Sequence, residues 1–301
     1  MRPPFGTARP LSSADVAACL ELSRSAGWNQ NDADWRMMLE LGRGWGIEAG
    51  TAAAVRLLVA SVVVIPYRLL PGEQPGAATS VGWAWVSMVL VLPQFQRRGL
   101  ATRLLRHALA DLRAARLVPV LDATPAGYPV YLQEGFAPGW AFSRYRREPA
   151  TSDVRSASPP RTRRVEERDW PGILACDAPA FGADRERLLR LLAGRMPQAA
   201  RIAEQDGRIA GFVLGRDGSE ASQIGPLVAE SPQVAQYLID DVLAHLPGAV
   251  QVDLANRHLA LLEALVARGF VLQRPFTRMT TAAAPPGDPA RVMLVAGPEL
   301  G

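Results

Sequence analysis

Apolar residues recur at helical spacing in two short stretches near the start of the chain, Asp15 to Ser25 and Ala33 to Leu41. Each has a capping residue ahead of it, Ser12 or Ser13 for the first and Asn31 or Asp32 for the second. The pattern then changes to strand-like runs at Ala54–Ile65 and Val81–Leu92. The second run ends Ser87-Met88-Val89-Leu90-Val91-Leu92, apolar without alternation, as in a strand covered on both faces. Pro93 stops it, because proline has no donor for a sheet ladder. From Gly99 onward, Leu100, Leu104, Leu105, Ala108 and Leu112 mark one buried helical stripe, with arginines on the other faces. Val118–Asp122 is the next strand. Strand, tight loop, helix and strand in this order predict an α/β unit.

Composition narrows the class. The 301 residues are 49% hydrophobic and 21% charged, the balance of a globular protein with sizeable cores. That length suits two domains of ordinary size. No apolar run is long enough for a membrane span, and the first residues lack the apolar stretch of a secretory signal, so a cytoplasmic protein with no membrane partner is expected. Two distant cysteines and three scattered histidines offer no metal-ligand spacing, so no metal is expected. All 33 basic residues are arginine, and most are interleaved with acidic residues. The net charge of +4 therefore describes solvated helix faces, and no nucleic-acid partner is expected.

The junction Gln96-Arg97-Arg98-Gly99-Leu100-Ala101 carries the clearest chemistry. Backbone N–H groups at a helix start have no intrahelical partner, and together with the helix dipole they attract anions such as a diphosphate. Gly99 lets a ligand approach closely, Ala101 is nearly as small, and Arg97 and Arg98 bring charge to the rim. A Gln-x-x-Gly-x-Ala string after an apolar strand, with Tyr131-Leu132-Gln133-Glu134-Gly135-Phe136 following 35 residues after Gln96, resembles the GCN5-related N-acetyltransferase (GNAT) superfamily. The resemblance implies an N-acetyltransferase that uses acetyl-CoA. It implies that Gln96, Arg97, Arg98, Gly99, Leu100, Ala101 and Thr102 hold the phosphates, while the backbone of Val89 and Val91 pairs with the pantetheine arm. It also makes Tyr131 the general acid that protonates the departing thiolate. Where the family often has asparagine, this chain has Thr124.

The acceptor side is less defined. Acyl transfer to an amine needs stabilisation of a developing oxyanion, which the resemblance assigns to backbone N–H near Met88 to Leu90. Trp28, Trp85 and Met88 are the candidate acceptor-binding residues. The glutamate that many members carry on the central strand is absent from Trp83-Ala84-Trp85-Val86-Ser87-Met88. Glu48, Asp32, Asp34 and Asp122 are the available carboxylates, and deprotonation through water is the alternative. The expected acceptor is a small-molecule primary amine, and the expected assembly a monomer or homodimer. The alternatives are a non-catalytic acyl-CoA-binding scaffold and a protein or peptide N-acetyltransferase.

The second half repeats the first at an offset of 134. Tyr131-x-x-x-Gly135-Phe136 falls on Leu265-x-x-x-Gly269-Phe270, and Leu104, Leu105, Leu109 and Leu112 fall on Leu238, Ile239, Leu243 and Leu246. The chemistry is lost, since Gln96, Gly99 and Tyr131 fall on Glu230, Gln233 and Leu265. The expectation is an α/β (α+β) chain of tandem GNAT-like domains, each a mixed central sheet flanked by helices. Residues 1–148 form the acyl-CoA-binding domain, 149–160 a Ser/Pro-rich linker, and 161–301 a degenerate domain with a terminal strand at 291–296. The string Ala296-Gly297-Pro298-Glu299-Leu300-Gly301 also fits two-domain bacterial members of the superfamily.

Overall fold

A computed structural model describes residues 5–50, 56–69, 82–149 and 162–301. Residues 54–55 of the expected strand, Val81 of the next and nearly all of the expected linker lie outside those described.

The first half begins with β1 (Arg9–Pro10), α1 (Val16–Ser25) and α2 (Asp32–Leu41). Asn31 caps α2, accepting from Asp34 N at 3.1 Å while Asp34 returns a bond to Asn31 N. Then come β2 (Arg43–Ala49), β3 (Leu57–Arg68) and β4 (Gly82–Val91). They are followed by α3 (Leu100–Ala114), β5 (Leu117–Ala123), α4 (Tyr128–Gln133) and β6 (Ala137–Arg147). The leucine stripe of α3 is buried as its spacing predicts. The second half repeats the order with β7 (Thr162–Arg164), α5 (Trp170–Phe181), α6 (Glu186–Arg195), β8 (Arg201–Gln205) and β9 (Arg208–Arg216). It ends with β10 (Ser222–Ala229), α7 (Pro232–Leu243), β11 (Val250–Ala255), α8 (Leu259–Ala267), β12 (Val271–Thr280) and β13 (Val292–Leu294).

The apolar pattern did not mark β2 as a strand. Its sequence, Arg43-Gly44-Trp45-Gly46-Ile47-Glu48-Ala49, is interrupted by glycines where large neighbours crowd the backbone. A Cβ at Gly46 would stand 2.4 Å from Leu58 Cδ1, and one at Gly44 3.0 Å from Leu39 Cδ2. The local sequence reads as a loop, and the packing makes it a strand.

The thirteen strands of the described residues join one mixed sheet, in the order β1-β2-β3-β4-β5-β12-β6-β11-β13-β10-β9-β8-β7. The halves exchange strands at its centre. β12, from the second half, pairs with β5 of the first, and β6, from the first, pairs with β11 of the second. This exchange brings the side chains of β12 and the C-terminal residues beside the first half's central cleft. Among the described residues, no helix is long and apolar enough to cross a membrane.

Candidate acetyl-transfer site

The site lies where β4 and β5 part. They run parallel and paired from Gly82↔Leu117 to Trp85↔Val120, and no further. Beyond that point Met88 takes φ 51°, a left-handed conformation rare for a residue with a Cβ. The β3–β4 register shifts between Ser61 and Val63, and the Ser61 hydroxyl donates to Met88 O at 2.8 Å, fixing the bulge. The divergence opens a cavity of about 800 Å³, within the range for binding a small organic ligand.

Nearly all the sequence-predicted residues line this cavity. β4 supplies Met88, Val89 and Val91; the loop and first turn of α3 supply Gln96, Arg97, Gly99, Leu100, Ala101 and Thr102. Thr124 and Tyr131 come from beyond β5, and Trp28 from the α1–α2 loop. Two expected residues do not line it. The Arg98 guanidinium lies over the Phe5 and Phe95 rings and donates to Gln94 O at 3.1 Å. Trp85 is fully buried, because its indole packs against Phe181 and donates to Pro298 O at 3.2 Å. The second half fills the space that the sequence left open beside that ring.

The loop is shaped for an anion. Gly99 is the N-cap of α3 at φ 75°, and no side chain caps the helix. An added Cβ at Gly99 would have nothing within 4 Å, so the ground above it is open. Gln96 folds back, donating from Nε2 to Val91 O at 3.2 Å, which ties the loop to the strand end. These features fit the diphosphate of a CoA thioester. The matching helix start in the second half is occupied. Ser231 caps α7 by accepting from Val234 N at 3.3 Å, and Glu230 forms an ion pair with Arg208. A carboxylate and an occupied helix end replace open donors.

Tyr131 sits on α4, whose start is organised by Thr124: Gly127 N and Tyr128 N donate to its carbonyl at 3.0 and 2.9 Å. Its ring meets Phe136 edge-on with centroids 6.0 Å apart. Burial pushes the phenol up to about 12, so it remains protonated across neutral pH.

Of the four carboxylates expected near the acceptor, only Asp122 lines the cavity. Burial raises its carboxyl while Arg278, directly opposite on β12, opposes that shift through two hydrogen bonds of 2.9 and 3.0 Å. Glu48, Asp32 and Asp34 are engaged by Arg9, Arg36 and the pair Arg195 and Arg216. Gln30, from the loop between the first two helices, also lines the cavity, and sequence reasoning missed Arg144, Arg274, Phe276 and Glu299, which line it too. Glu299 comes from the chain's end, where a carboxylate among Pro298, Leu300 and Gly301 was its one visible signal. The loop holding Gln30 is anchored by the second half, with Asn29 Oδ1 accepting from Glu220 N and Ala221 N at 2.8 and 3.0 Å.

A cleft between parting strands, a bulged central strand and an open glycine-led helix start define an acyltransferase-type α/β protein. Comparison with known proteins gives the family. The model of the acetyltransferase (GNAT) domain matches residues 7–139, and a second acetyltransferase (GNAT) domain model matches residues 173–293. Together they span most of the chain, which belongs to the GNAT acetyltransferase family and is an N-acetyltransferase with two tandem domains. The uncharacterised N-acetyltransferase YitH of Bacillus subtilis (strain 168) is 24% identical over 261 residues, 86% of each chain. Two solved structures share the fold. A proposed acetyltransferase from Pyrococcus horikoshii superposes with a TM-score of 0.76 at 20% identity, covering 99% of this chain and 96% of that one. A tandem GNAT protein from the clavulanic acid biosynthesis pathway gives 0.62 at 17% identity, covering 95% and 100%.

Proposed function

We propose that the chain transfers an acetyl group from acetyl-CoA to the primary amine of a small molecule, with Tyr131 as general acid. The observation that carries this reading is one continuous cavity that runs from the uncapped start of α3, past the β4 bulge, to Tyr131. Bound acetyl-CoA would supply an activated thioester carbonyl. The N–H groups at Gly99 to Ala101 hold the phosphates, and the strand backbone at Val89 and Val91 orients the extended arm. Backbone N–H near the bulge at Met88 faces the developing oxyanion. Tyr131 donates its phenolic proton to the departing thiolate, a task suited to a phenol that burial keeps neutral.

A small acceptor is favoured because the cavity is walled by Trp28, Phe276, Pro298 and the buried Glu299. An extended peptide needs an open groove. The experiment is acetyl-CoA turnover on a panel of small amines and a peptide panel, read by thiol release. Turnover confined to peptides would overturn the small-acceptor reading, and failure to bind acetyl-CoA would overturn the whole proposal.

A further inference from the structure

The strand exchange brings β12, β6 and β11 side by side, and their register aligns Arg274 with Arg144 and Arg144 with Asp253. Two arginines thus share one aspartate. Arg144 takes it, with bonds of 2.8 and 2.7 Å to the two carboxylate oxygens, and Gln223 adds a third at 3.2 Å. Arg274 has no carboxylate within salt-bridge distance among the described residues. Its guanidinium lies over the rings of Phe276 and Trp28, 5.1 and 5.9 Å from their centroids, and it lines the cavity. Asp253 and Glu299 attract it only at longer range, and a part-buried cation with no direct partner is costly unless an anion arrives. The other arginines around this end, Arg144, Arg216 and Arg278, each have a carboxylate.

Residues lining the cavity also carry buried oxygens that have no partner among the described residues. Glu299, 3% exposed, accepts at Oε1 from Gln30 Nε2 at 2.9 Å and from Arg216, while its Oε2 has no partner among the described residues. Gln30 Oε1 and Ser87 Oγ are also buried without partners, and both residues line the cavity. Ser87 stands two residues beyond Trp85 on the same face of β4, the face that the C-terminal tail covers. Three such oxygens, on three residues that line one cavity, match a group that brings several N–H donors. An amine is such a group.

We propose that the acceptor is an amino acid: its carboxylate is bound by Arg274, and its amine is received by Glu299 with Gln30 and Ser87. This rests on the acetyl-transfer reading above and names the substrate class for that site. Glu299 is then an acceptor-binding residue delivered by the last residues of the chain, in place of the strand glutamate that the sequence lacks. The second half contributes directly to selectivity, since Arg274 and Glu299 both belong to it.

The test uses the full chain with acetyl-CoA and a panel of α-amino acids, β-alanine and γ-aminobutyrate, each compared with its amide. At least one amino acid is expected to exceed its amide by roughly 10- to 100-fold in kcat/KM, the worth of one charge-assisted contact. Arg274→Gln should erase that preference by raising KM for the acid, while the amide is far less affected. Glu299→Gln should weaken acid and amide alike. Because Glu299 also pairs with buried Arg216, its variant is accompanied by a melting curve, and Arg274→Gln carries the test without it. Equal use of acid and amide, a preference that survives Arg274→Gln, or no amino acid turned over by protein that binds acetyl-CoA would each overturn the inference. Absence of acetyl-CoA binding would instead overturn the acetyl-transfer reading beneath it.

Discussion

Replacing Gly99 with glutamate separates the ligand's requirement from that of the fold. Gly99 holds φ 75°, and an added Cβ meets nothing within 4 Å. The cost to the fold is therefore conformational, roughly 1–2 kcal/mol for a side chain held in the left-handed region. At roughly 2–4 °C per kcal/mol in a chain of this size, the melting temperature should fall by only a few degrees. The cost to binding is larger. A carboxylate roughly 4 Å from a phosphate charge loses about 4 kcal/mol at an effective dielectric of about 20. That is roughly a thousandfold in affinity, and the new side chain also fills the approach that glycine left open. Isothermal titration with acetyl-CoA reads the affinity, and circular dichroism reads the fold. A Gly99→Ala control should keep most of the affinity, since it adds the strain without the charge. Affinity for acetyl-CoA within threefold of wild type in folded Gly99→Glu protein would refute the assignment of the phosphates to this loop.

Other consequences are equally direct. Tyr131→Phe should lower kcat by roughly 10²- to 10⁴-fold while leaving the acetyl-CoA dissociation constant nearly unchanged; a kcat within a factor of three of wild type in steady-state assays would remove the phenol from the chemistry. Because burial raises the Tyr131 phenol to about 12 from an ordinary value near 10, its proton stays on through pH ~10. The pH–kcat profile should show no alkaline fall from this group below that, and a limb centred at pH ~10 that vanishes in Tyr131→Phe would contradict the burial argument. The sign for stability is the same: burial of the neutral phenol contributes fully below pH ~10, and that contribution is lost as pH rises through about 12. Asp253→Ala leaves Arg144 as a buried cation without its partner and should destabilise by roughly 3–5 kcal/mol in urea unfolding; a loss under 1 kcal/mol would mean that the pair matters little. Titration of the full chain should give one acetyl-CoA per chain, and two would show that the α7 start binds despite Ser231 and Glu230.

How much was legible in the sequence depended on whether the signal was local. The helix starting near Gly99, the strand before it and the tyrosine after it are defined by residues a few positions apart, and the structure brings them to one cavity. Asn31 could be read as a cap because capping is a matter of three residues. What stayed hidden was decided by residues far apart in the chain. β2 is a strand because Leu58 and Leu11 leave no room for anything larger than glycine. Trp85 looked like a pocket wall, and only the tail beside it, with Pro298 O accepting its indole N–H, makes it core. Arg274 carries no local mark of a site, yet the exchange of β6 and β12 sends it into the first half's cavity, and Arg278 onto Asp122 beside it. No local pattern encodes which half a strand will join. The role of Glu299 was hidden for the same reason, since it lies 269 positions from its partner Gln30.

On the proposed function, acetyl-CoA binds along β4 and the start of α3, with its thioester between Tyr131 and the acceptor-binding residues Glu299 and Arg274. The most direct measurement is a crystal structure of the full chain with acetyl-CoA. The diphosphate is expected on the backbone N–H groups of Gly99 to Ala101, the extended arm along Val89 and Val91, and the thioester sulfur within hydrogen-bonding reach of Tyr131 Oη. Acetyl-CoA found instead at the start of α7, or with its thioester directed away from Tyr131, would contradict it.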